Sequence, residues 1–101
     1  MALRIVENIT AEPNQRHVIE KEQGENVILV LRYHTQIQTW TADIERGDKK
    51  IYGVRLAGAV RLIPSMNMGV DFICISEDGI DPLQITDFAE GRCQLGIFDV
   101  V

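Results

Sequence analysis

Two alternating runs joined by four residues constrain this chain more than anything else in it. In Val27–His34, the residues Val27, Leu29, Leu31 and Tyr33 alternate with Ile28, Val30, Arg32 and His34. In Thr39–Glu45, Trp40, Ala42 and Ile44 alternate with Thr39, Thr41, Asp43 and Glu45. A period of two marks a strand with one face in a core. The Thr35–Gln38 connection is short enough to fold the two runs into an antiparallel hairpin.

Strand signals continue on both sides. The turn RGDKK leads into a run over Ile51–Leu56, and His17–Glu22 reads as a weaker strand separated from Val27 by the turn QGEN. Val70–Ser76 and Cys93–Val100 are rich in β-branched and aromatic residues, and Leu3–Ile9 adds a further candidate. Helical periodicity is confined to a turn or two over Thr86–Glu90, after Asp81-Pro82. The expected fold is all-β: a single domain over residues 1–101, with about six to eight short, mainly antiparallel strands rolled into a small barrel or sandwich.

Composition narrows the function classes. Apolar residues make up 46% and charged residues 25%, an ordinary globular balance. The 15 acidic and 10 basic residues give a net charge of −5, with cations scattered singly apart from Lys49-Lys50. Nucleic-acid partners demand a basic face to neutralise phosphates, so none is expected. The same acidity argues against an anionic membrane surface. No apolar run approaches the length of a membrane span, and the opening MALRIVENIT lacks the apolar stretch of a secretory signal. Cys74 and Cys93 lie in apolar runs without metal-ligand spacing and are read as buried, reduced thiols.

Motifs for chemistry are incomplete. Gly53-x-x-x-x-Gly58 matches half of a phosphate loop, but Ala59-Val60 follows where lysine and a hydroxyl are required. The two histidines, His17 and His34, form no ligand cluster, so no metal or cofactor is expected. Neither Ser65 nor Ser76 sits in a nucleophile elbow. A hydrolase built from Ser76, His34 and Asp43 would need those groups within hydrogen-bond reach of one another. The acidic EDGIDP segment (77–82) reads as an Asp-Gly turn followed by an Asp-Pro turn. In GVRLAGAVRLI (53–63), strict alternation sets Arg55 with Ile51 and Gly53, opposite a face carrying Tyr52, Val54 and Leu56. The small residues Ala57-Gly58-Ala59 would let another backbone approach closely. The Pro64–Gly69 loop offers Met66 and Met68 as adaptable contact residues.

The order of these features resembles a known family. PNQR (Pro13–Arg16) precedes a strand, a glycine turn and the apolar strand ending in Arg32-Tyr33. The tryptophan strand ending TADIE, a Gly-Asp turn, and Gly53-Val54-Arg55-Leu56 with Gly58 and Leu62 then follow. Together they resemble the small baseplate plug proteins of contractile-tailed bacteriophages, from about Pro13 to Ile97. The chain departs from that pattern at His17 and in its short acidic loop over Glu77–Pro82.

The resemblance implies a small β-rich structural component at the centre of the tail baseplate, near the hub and the distal end of the tube. It implies no catalytic residues, hub, tube or wedge proteins as partners in a multi-subunit assembly, and a place in the virion after assembly in the host bacterial cytoplasm. The expected contact residues are Arg55, Arg61, Pro64, Met66 and Met68, with Asp78 and Asp81 facing cations on neighbouring chains. The alternative is a small β-barrel adaptor or ligand-binding module outside any virion.

Overall fold

The computed structural model describes residues 3–21, 24–58, 61–63 and 68–100. Seven strands form two antiparallel sheets: β1 (Arg4–Ile5), β2 (Asn14–Ile19), β3 (Val27–His34), β4 (Thr39–Arg46), β5 (Lys49–Arg55), β6 (Val70–Ser76) and β7 (Cys93–Asp99). The four-stranded sheet runs β2-β3-β4-β5 and the three-stranded sheet β1-β7-β6. The architecture is a small all-β sandwich, one of the two forms that the alternation allows. Residues 85–91 form consecutive turns, with Glu90 N–H donating to Thr86 O at 2.8 Å, and no described residue is helical.

The central hairpin forms as read, with His34 opposite Thr39 and Leu31 opposite Ala42. Val27, Leu29 and Leu31 from β3 and Trp40, Ala42 and Ile44 from β4 are fully or almost fully buried. They face Val70, Phe72, Leu95 and Ile97 from the second sheet in one apolar cluster. Of the expected Leu3–Ile9 strand only Arg4–Ile5 forms, and two further readings need correction. β2 begins at Asn14 and ends at Ile19, earlier than the expected 17–22, because the apolar pairing with Val27 ends at Ile19.

The second correction concerns β5. Ala42 faces Val54 while Ile44 faces Ile51, so Asp43 stands opposite both Tyr52 and Gly53. This bulge inserts one residue and reverses the alternation before it. Ile51 therefore packs against the core with Val54, and Tyr52 is 65% exposed. Gly53 takes φ 70°, which glycine adopts without the steric cost of a Cβ. Its N–H donates to Asp43 Oδ1 at 2.9 Å. One inserted residue leaves no periodic trace in the sequence.

Beyond β5 the chain crosses to the other sheet. Gly58 bridges Cys74, Arg61 bridges Ile73, and Leu62 N–H donates to Phe72 O at 3.0 Å. This crossover covers the outer edge of β6. The 77–92 connection lies against the hairpin: Trp40 Nε1 donates to Gln84 O at 3.2 Å and Tyr33 Oη to Leu83 O at 2.6 Å. Phe88 meets Trp40 edge to face, with ring centroids 5.6 Å apart.

Trp40 therefore joins sheet, loop and core. Trp40→Ala is expected to cost about 3–5 kcal/mol, read as a lower midpoint in urea denaturation, from lost burial and cavity formation. A cost below about 1 kcal/mol would mean that the 77–92 loop does not depend on it.

Candidate interaction surface

Four of the contact residues expected from the sequence, Arg55, Arg61, Asp78 and Asp81, fall into three polar nodes. In the first, Arg55 leaves the outer face of β5 and its Nη2 donates to Asp81 Oδ2 at 3.1 Å. Asp81 Oδ1 accepts the Gly58 N–H at 2.7 Å. A Cβ on Gly58 would lie 3.4 Å from Gly79 O and from Asp81 Oδ1, in close contact with that turn. The small residues after Leu56 thus admit a close backbone, and that backbone is the chain's own 79–81 turn.

In the second node, Arg61 Nε donates to Asp71 Oδ2 at 2.6 Å, and its guanidinium stands 5.6 Å from the Phe98 ring centroid. Asp71 is fully buried, and its Oδ1 accepts the N–H groups of Ile63 at 2.9 Å and Phe72 at 2.7 Å. A buried carboxylate requires such partners. Arg61 therefore anchors the crossover, while about half of its side chain stays open to solvent.

The third node was not legible as a site. Arg92 grips Asp87 in bidentate fashion, Nε to Oδ1 at 2.9 Å and Nη2 to Oδ2 at 2.8 Å. Its remaining donors reach Asp78 Oδ1 at 2.7 Å and Asp81 O at 2.8 Å. The planar guanidinium fits this fork as an ammonium would not. Asp87 also accepts the Gln84 N–H at 2.8 Å, and the Arg92 bond lowers its pKa. No motif spacing announces Arg92, because its partners are gathered by the fold of the loop.

Of the remaining expected contact residues, Met68 is buried, and Arg46 Nη1 donates to its carbonyl at 3.1 Å. Pro64 and Met66 lie outside the described residues. The acidic segment is the double turn that its sequence suggests, with Gly79 at φ 75° and Ile80 N–H donating to Asp78 Oδ1 at 3.1 Å. Ser76, His34 and Asp43 are not joined. His34 Nε2 lies 2.8 Å from Thr41 Oγ1, and Asp43 holds Arg32 at 2.6 Å. Ser76 belongs to the other sheet, and its buried hydroxyl has no partner among the described residues. Burial pushes the Cys74 thiol up to about 12 and raises Cys93 as well, so both are poor nucleophiles at neutral pH.

The residues that carry the family resemblance prove to be tie-points of this fold. Gln15 of PNQR folds the preceding turn, accepting the Thr10 N–H at 3.0 Å and donating to Thr10 O at 2.9 Å and Glu12 O at 3.0 Å. Asp43 of the tryptophan strand holds Arg32 and the bulge at Gly53. Outside these contacts, Ile37 and Tyr52, 68% and 65% exposed, flank a shallow depression of about 550 Å³ on the outer face of the four-stranded sheet.

Two outcomes follow from these nodes. Arg92→Ala would leave Asp87 buried without its cation. The expected cost in a denaturant titration is about 2–3 kcal/mol, less than the ~3–5 of a fully enclosed pair because Arg92 keeps some exposure. His17 faces inward from β2, and its Nε2 lies 2.8 Å from Gln15 Oε1. Burial lowers its pKa below 6.5. Between that lowered value and 6.5 the unfolded chain binds a proton that the folded chain does not. Stability should therefore fall as pH drops below 6.5 and level off below the folded pKa. His17→Gln should flatten urea midpoints between about pH 5 and 7, and an unchanged slope would assign the pH dependence elsewhere.

Comparison with known proteins identifies a family. Individually curated proteins give no significant match. A family model described as cyanophage baseplate Pam3 plug gp18 matches residues 4–100, almost the whole chain and all seven strands. The chain therefore belongs to the cyanophage baseplate Pam3 plug gp18 family.

Proposed function

We propose that this protein is a non-enzymatic structural subunit of a phage tail baseplate, seated near the hub and the end of the tail tube and acting through protein–protein contacts. The family match over residues 4–100 carries this reading. The geometry supports it, since the conspicuous polar groups are spent on bracing loops against strands. On this reading the protein works in the virion tail after assembly in the host cytoplasm, and its partners are other baseplate proteins of the hub, tube or wedge.

The contact surface we assign includes Arg55, Asp78 and Asp81, gathered at the 77–92 loop, and Arg61 on the crossover. Met68 is buried in the core and supports this surface from within. Pro64 and Met66 complete the assignment from the sequence alone. A partner would read these groups as fixed, preformed charges, because each is oriented by an internal bond.

Arg55 is the cleanest probe, because its side chain is 62% exposed and its pair with Asp81 is a surface pair. Arg55→Glu should change folding stability by only about 0–1 kcal/mol. It should nonetheless reduce incorporation of the protein into purified tails, measured by quantitative mass spectrometry. Incorporation at the wild-type level would remove Arg55 from the interface. Tails that assemble and infect normally without the whole protein would count against the baseplate role itself.

A further inference from the structure

One side of the sandwich is not closed by backbone pairing. β1 is the outer strand of one sheet and β2 of the other, and no ladder joins them. The phase of each ladder fixes which groups face this seam, because antiparallel residues alternate between bonding their partner and pointing away. Val6 N–H donates to Leu95 O at 2.8 Å, so Ile5, one residue before, turns its N–H and C=O away from β7 and toward the seam. Tyr33 N–H donates to Pro13 O at 2.8 Å, which sets Gln15, His17 and Ile19 to bond β3. Arg16 and Val18 therefore aim their N–H and C=O at the seam from the other side.

The seam is strapped at one end only. Arg4 Nη1 reaches across to Glu20 O at 3.0 Å, the next carbonyl in the outward-facing series of β2. Between the walls lies a cleft of about 380 Å³ lined by residues 4–8 and 17–19. Its volume falls within the range of ligand sites, which runs from roughly 300 to 1,000 Å³. Its inner side is polar at His17, and its outer rim carries Val18, 49% exposed.

We propose that this seam is a strand-acceptor slot. An extended segment of a different protein chain lies between β1 and β2, bonded to the backbone of Ile5 on one wall and of Arg16 and Val18 on the other. This deepens the baseplate reading and rests on it for the neighbouring chain. The β2 wall displays outward donors and acceptors at Arg16 and Val18, the β1 wall adds those of Ile5, and an extended backbone matches this pattern on both of its edges. The occupant must therefore have both edges free. A second copy does not supply it from its described residues, where every strand already has a ladder partner. Small or polar side chains would face His17, and apolar ones would pack on Val18.

The other free edge contrasts with this one. β5 carries Lys49, Lys50 and the Gly53 bulge, the devices by which edges refuse pairing. β2 keeps regular register over all six of its residues. Its edge is left fit for addition.

Two arms test the slot. In the first, Val18→p-benzoylphenylalanine is placed in the protein during phage growth, and purified tails are irradiated. The expected result is a cross-link to an extended segment of another tail protein, identified by mass spectrometry. Tails that contain the variant but give no cross-link, or one to a second copy, overturn the slot. In the second, Val18→Pro removes an N–H that β3 does not use. The variant should melt within a few degrees of wild type, while its incorporation into tails falls by at least about tenfold. Normal incorporation overturns the slot and leaves the baseplate reading standing. Absence of the wild-type protein from purified tails overturns both. If the proline variant fails to fold, the cross-linking arm decides alone.

Discussion

The pairing of Arg92 with Asp87 organises more of this molecule than its single bidentate contact suggests. The 77–92 connection has no ladder of its own, so side chains must give it shape. Arg92 draws Asp87, Asp78 and the Asp81 carbonyl to one point. With the loop gathered, the Leu83 and Gln84 carbonyls meet Tyr33 and Trp40, and Phe88 closes over the indole. Asp81 is then presented to Arg55 and Gly58. Loop, hairpin and crossover form a chain of dependence, and its first link is one guanidinium.

The residues that carry the family resemblance brace the fold in the same manner, most of them outside the Arg92 network. Gln15, Arg32, Asp43, Gly53, Arg55 and Gly58 each hold a turn, a bulge or a neighbouring loop in place. Of these, the Asp43 contacts satisfy a buried carboxylate that would be costly to leave unpaired, while the Gln15 and Arg55 contacts fix exposed turns and loops. A small sandwich with one shared core has little apolar burial to spare. Polar tie-points at its turns are a direct way to fix loop geometry.

The period-two pattern made the hairpin, the late strands and the all-β class legible, because burial on one face leaves a local trace in the sequence. Three things left none. The β5 bulge reversed Ile51 and Tyr52, since one extra residue changes every face before it. The start of β2 at Asn14 depended on its pairing with Arg32, which lies far along the chain. The third was the pairing of charges: Arg61 with Asp71 spans ten positions and Arg55 with Asp81 twenty-six, and a bridge set by loop folding has no periodic signature. The glycines were partly legible. Gly58 was read correctly as a place of close approach, although the approaching backbone is internal.

Internal pairing also bears on how such a subunit would bind. A partner that competes for Arg61 must either break its bond to a buried carboxylate or accept the guanidinium where it stands. The first choice leaves Asp71 without a counter-charge in a dry environment, a penalty that a rim contact does not repay. The second gives orientation and specificity more than raw affinity. Most of the binding energy then has to come from surfaces that folding has not already used. In this sandwich those are apolar side chains left in solvent and backbone groups at an unpaired edge, where each added hydrogen bond and each buried methyl group costs the fold nothing it already holds.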